Sequence, residues 1–121
     1  MEKAKLIKGG EFLIKETEAG DIFIPEEFNE EQRMIAQTCS DFLDAEVYPN
    51  LEKVEKSDRE LMKTMLKKSG ELGLMGISIP EEFGGFGQSF VTQMLVAETT
   101  GAGYSFSVAY MAHCGIGTLP I

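Results

Sequence analysis

Histidine is almost missing from this 121-residue sequence, and cations are scarce. The one histidine, His113, has no companions at the spacings that a catalytic triad or a metal centre needs, so no metal ligand is predicted. Lys and Arg number 11 against 20 Asp and Glu, a formal charge of −9. That balance argues against sequence-independent nucleic-acid binding, which relies on clustered cations. The two cysteines, Cys39 and Cys114, lie far apart without a CxxC, and no apolar leader opens the sequence. An intracellular, cytoplasmic and reducing setting is the expectation. A membrane span needs about 20 apolar residues, whereas the apolar run from Ser105 reaches only about 17 and contains His113. Phosphate-loop glycines are incomplete too. Gly84, Gly85 and Gly87 fit no nucleotide pattern, and Phe106 stands where a third glycine would follow Gly101 and Gly103. Both clusters read as structural turns.

What is present suits one domain organised around Glu71 to Gly87, ELGLMGISIPEEFGGFG. This stretch reads as a helix end, an apolar extended piece over Leu74 to Ile79, and a glycine-rich turn in which Glu81 and Glu82 face water. Before it, Asn29 with Gln32 fits a capping box for a helix over Glu30 to Val47, which Pro49 ends. Met34, Ile35, Cys39, Phe42, Leu43 and Val47 form its apolar stripe. Ser57 with Glu60 predicts a second capped helix that closes at Gly70 and Gly73. Ser89 predicts a third over Phe90 to about Thr100, and a fourth runs from Ser105 to Leu119 with almost no polar face. The fold class is therefore all-α, with about four main helices in an orthogonal or antiparallel bundle over residues 29–121. Residues 1–28 form a less regular arm, in which Glu11 to Ile14 and Asp21 to Ile24 could be two short extended pieces. Glu98, well inside the third helix, is a candidate buried carboxylate, with a cap or core hydrogen-bonding role the plainer reading for it and for His113. These residues alone offer no catalytic constellation.

Taken in order, Phe28-Asn29-Glu30-Glu31-Gln32, Phe42, Glu46-Val47-Tyr48-Pro49, Glu71-Leu72-Gly73-Leu74, Ile79 to Gly87, Glu98 and Gly117-Thr118-Leu119-Pro120-Ile121 resemble the N-terminal α-domain of the acyl-CoA dehydrogenases. Residues 1–28, with Ala112-His113 and Ile116-Gly117, look like the very-long-chain-like members. The resemblance implies a FAD-dependent α,β-dehydrogenation of fatty acyl-CoA, with electrons passed to electron-transfer flavoprotein and a homo-oligomer in full length. It implies that the middle β-domain and the C-terminal bundle carry the catalytic glutamate base and most flavin contacts. The chain alone is thus expected to be inactive, to bind no FAD tightly and to self-associate. By position, Val108, Ala109, Ala112 and Ile116 would line the acyl channel. Ile35, Phe42, Leu74, Phe86 and Val96 would form the pocket that receives an anchor residue of the flavoprotein. Gln88 departs from the family pattern, because related sequences often carry an apolar residue there. Two rivals stand beside this reading: from another class, a stand-alone helical interaction module without flavin, and within reach of the family, a related flavin oxidase or thermostable paralogue that has lost activity.

Overall fold

The computed structural model describes Ile7 and residues 9–118; the predicted end of the last helix at Leu119 and the Leu119-Pro120-Ile121 motif lie outside them, as do Met1 to Leu6 and Lys8 of the arm. The chain divides at Glu30/Glu31 into two units. In the first, Gly9–Leu13, Ala19–Asp21 and Pro25–Glu27 are short 3-10 turns, and Phe23 and Phe28 stack edge to face. The two extended pieces expected there do not pair. Glu11 to Leu13 is wound into the first turn, while Ile22 and Ile24 hold extended backbone. The local turn bonds Ile14 N–H to Glu11 O and Ile22 N–H to Ala19 O satisfy the groups that a ladder would have used.

The second unit is helical, with no strand among the described residues. Helix α1, Glu30–Phe42, starts one residue after Asn29 and continues as a π turn over Leu43–Val47. Pro49 does not end the helical path as expected: it lies in a 3-10 turn, Tyr48–Asn50, that leads directly into a short α2, Leu51–Glu55. Proline is tolerated in a first turn because those amides have no partner there anyway. Helix α3, Arg59–Glu71, is capped by Asp58, whose carboxylate accepts from Leu61 N–H, and not by Ser57. Ser57 takes the left-handed turn between α2 and α3 at φ 64°. Helix α4, Phe90–Thr100, has Ser89 as its cap, with the hydroxyl accepting from Thr92 N–H. Helix α5, Ser105–Met111, runs on as a π turn over Ala112–Gly117. Its first amide, Ser105 N–H, donates to Glu55 of α2 at 3.0 Å, so the unforeseen α2 supplies the acceptor that Tyr104 does not.

Phe106 lies at the centre of the core, with its ring 5.4 Å from Phe42 and 5.9 Å from Tyr110. Around it pack Cys39, Leu43 and Val47 from α1 and its extension, Val54 from α2, Met65 from α3 and Val96 from α4. The Tyr110 hydroxyl donates to Leu74 O at 2.5 Å and ties α5 to the chain that leaves α3. Burial pushes the Cys39 thiol up from 9.0 to about 11 and also raises the Tyr110 phenol and the Cys114 thiol, which is hydrogen-bonded to Tyr110. All three groups hold their protons in the folded chain after the unfolded chain has released them. Stability is therefore fully present below the unfolded values and is lost as pH rises. The thermal midpoint should fall between about pH 9 and 11. A flat midpoint over that window would show that none of the three is shifted.

Among the described residues no helix is long and apolar enough to cross a membrane. This agrees with α5 as a core helix on one side, since Phe106 and Tyr110 are buried while its opposite side is not.

Candidate functional site

The stretch from Glu71 to Gly87 folds back on itself. Leu74–Gly76 is a 3-10 turn, so the extended piece expected over Leu74 to Ile79 is wound instead, closed by Gly76 N–H to Gly73 O and Ile79 N–H to Gly76 O. Residues 86–88 return alongside it: Phe86 N–H donates to Gly76 O at 2.9 Å, Gly87 N–H to Ile79 O at 2.8 Å and Gln88 N–H to Ile77 O at 2.9 Å. These bonds fix the position of Phe86, a residue that is 52% exposed. Of the residues expected around it from the sequence, Phe42 and Val96 do not share its cavity. The ring lies over Gly73, where an added Cβ would come within 2.5 Å of it, and Gly73 also holds φ at +79°. A glycine is required twice at that position, for conformation and for room.

Phe86 forms one wall of a cavity of about 240 Å³. Ile35 and Leu74 line it as expected, together with Glu31, Met34 and Thr38 of α1, Leu72, Ile77 and Gln88. The other two proposed docking residues do not line this cavity. Phe42 is buried against Phe106 and lines a neighbouring cavity of about 450 Å³ with Thr38, Asp41, Ala45, Glu46, Lys68, Glu71 and Leu72. Val96 is buried on α4 and borders a third cavity, between α4 and α5. Met34 and Leu72, both exposed apolar residues on the first cavity, belong to the apolar stripes of α1 and α3. A stripe wider than the core can cover was the signal for them.

On α5 the four proposed channel residues divide. Val108 and Ile116 are 71% and 84% exposed, and Ala112 between them is exposed as well. Their spacing of four places them on one side of the helix, opposite Phe106 and Tyr110. Ala109 is half-buried and turned partly toward the core. The third cavity, about 150 Å³ and lined by Met75, Phe90, Met94, Tyr110, Met111 and Cys114 among others, borders none of the four. Glu98 is exposed on α4 and His113 is exposed on the π turn, so neither is buried. No cluster of three or more metal-ligating side chains occurs among the described residues.

The sequence matches the family described as "Acyl-CoA dehydrogenase, N-terminal domain" over residues 29–121. A "Probable acyl-CoA dehydrogenase" of Bacillus subtilis is 42% identical over 98% of this chain, which spans 20% of that protein. The bovine mitochondrial "Short-chain specific acyl-CoA dehydrogenase" is 36% identical over 64% of the chain and 18% of its own length. A crystal structure of an acyl-CoA dehydrogenase complexed with FAD from Bacillus anthracis superposes with a TM-score of 0.89 at 43% identity, covering 95% of this chain and 20% of that one. The chain thus spans about a fifth of the length of these relatives.

Proposed function

Since the chain belongs to the acyl-CoA dehydrogenase family, through that family's N-terminal domain over residues 29–121, we propose that it serves a FAD-dependent acyl-CoA dehydrogenase by walling the acyl channel and docking the electron acceptor. The observation that carries this reading is the side of α5 formed by Val108, Ala112 and Ile116. It is apolar and uncovered, while Phe106 and Tyr110 on the opposite side of the same helix are buried. A side of that kind requires an apolar neighbour. Its methyl and methylene groups suit the hydrocarbon of a fatty acyl thioester and offer nothing to hydrogen-bond a flavin ring or a pyrophosphate. FAD in the full-length enzyme supplies the hydride acceptor. The residues of this chain contribute by holding the acyl tail and excluding water from it. The small Ala112 leaves room for a longer chain, in keeping with the very-long-chain-like members.

The second part of the reading is that the cavity walled by Phe86 receives an apolar anchor of electron-transfer flavoprotein. Anchors in such pockets carry most of the energy of a small interface. The test uses the full-length enzyme. Acyl-CoA should bleach its flavin anaerobically, and Phe86→Ala should slow electron transfer to the flavoprotein by about tenfold while the flavin is still reduced by substrate. Phe86 is already about half exposed as a residue, so removal of its ring should cost the fold well under about 3 kcal/mol. A full-length protein that no acyl-CoA bleaches would refute the dehydrogenase reading. Normal acceptor kinetics in Phe86→Ala, with a large fall in thermal midpoint, would make the ring a structural plug.

A further inference from the structure

The cavity walled by Phe86 and its neighbour share Thr38 and Leu72, so the two form one groove across α1 and the end of α3. Its apolar floor is edged by four carboxylates, Glu31, Asp41, Glu46 and Glu71, against a single ammonium, Lys68. That ammonium is already engaged, because Lys68 Nζ donates to both oxygens of Glu46 at 2.6 and 2.7 Å. Some carboxylates of the helical unit are matched by lysines one turn away, as in Glu52 with Lys56 and Glu60 with Lys63. Glu31 and Asp41 are held differently. Glu31 accepts from the amide of Gln88 at 3.0 Å, and Asp41 accepts from the amide of Gln37 at 2.7 Å. A neutral amide orients a carboxylate without cancelling its charge. Glu71 forms a loose ion pair with Lys67 at 3.9 Å, without a hydrogen bond.

We infer that this groove selects a protein partner presenting an apolar side chain flanked by Lys or Arg, the apolar group entering beside Phe86 and the cations meeting Glu31 and Asp41. The inference rests on the docking reading above and adds the partner's charge to it. Gln88 acquires a role here: it fixes the Glu31 carboxylate at the edge of the cavity, where an apolar side chain at the same position would leave that carboxylate free to swing into water. Charges at such an edge act mainly on encounter rate and on discrimination between partners, and salt screens them.

The experiment measures kcat/KM for electron-transfer flavoprotein with the full-length enzyme across ionic strength. Reversing both charges, Glu31→Lys with Asp41→Lys, should lower it about tenfold at low salt and leave a small difference at about 1 M salt. Glu31→Gln with Asp41→Asn, which adds no bulk, should give a smaller loss of the same salt dependence. The rate of flavin reduction by acyl-CoA and the thermal midpoint, read on the same samples, report on folding. Unchanged acceptor kinetics at low salt, or a loss equal at all salt concentrations, would overturn the inference. Phe86→Ala separates it from the reading beneath it. If that variant slows the acceptor while the charge variants do not, selection by charge fails alone; if all are silent, the docking reading fails with it.

Discussion

Gly85→Ala is expected to destabilise the chain by about 3 kcal/mol or more, the upper part of the range for overpacking, and its neighbour Gly84→Ala by far less. A Cβ added at Gly85 would lie 2.1 Å from Ile79 O and 2.6 Å from Ile79 C, which are backbone atoms. They cannot give way cheaply, because Ile79 O accepts from Gly87 N–H at 2.8 Å and Ile79 N–H donates to Gly76 O. Relief would require opening the paired segments that hold Phe86 in place. At Gly84 nothing lies within 4 Å and only φ at +82° opposes a side chain, which costs about 1–2 kcal/mol. Gly73 is the third case, since its clash is with the Phe86 ring and not with backbone. Gly73→Ala should therefore be partly rescued by Phe86→Ala, whereas Gly85→Ala should not. Urea unfolding of the four single variants and the two doubles measures this directly. Equal losses at Gly84 and Gly85 would mean that conformation, and not the approach to Ile79, explains the glycine pair.

These glycines also show where the sequence was readable. Their density between two helical patterns marked a specified turn, and Ser89 announced α4 correctly because a serine cap leaves a local signature, its hydroxyl on Thr92 N–H. The winding of Leu74–Gly76 left no such signature. A short apolar run suits a strand or a buried helical turn equally, and only the return of residues 86–88 decides between them. Ser57 and Asp58 are both acceptable caps, and the choice fell to Asp58 because Ser57 was needed for the left-handed turn after α2. The π turns at Leu43–Val47 and Ala112–Gly117 have no compositional mark. The site was legible to a similar degree. Ile35, Leu74 and Phe86 meet on one cavity. Val96 is lost to the core and Phe42 is mostly buried, reaching only the adjoining cavity, because periodicity gives the side of a helix but not what covers it, and Phe106 packs on Phe42.

Ala112→Glu in the full-length enzyme should cut the preference for long over short acyl-CoA by about fifty-fold. Ala112 sits between Val108 and Ile116 on the uncovered side of α5, so a longer side chain there enters the space assigned to the acyl tail without disturbing Phe106 or Tyr110 behind it. A carboxylate in an apolar channel costs several kcal/mol unless it is protonated or reaches water, and either way it fills volume. Each buried methylene of the substrate contributes about 0.8 kcal/mol, so excluding three removes about 2.4 kcal/mol from long chains and nothing from chains too short to reach the site. The loss should appear as a fall in kcat/KM for long substrates with that for short ones retained. Ala112→Gln, with similar bulk and no charge, separates the two causes: an equal shift assigns the effect to volume, and a smaller one to the carboxylate. An unchanged ratio in both variants would place Ala112 outside the channel and leave the uncovered side of α5 to another neighbour.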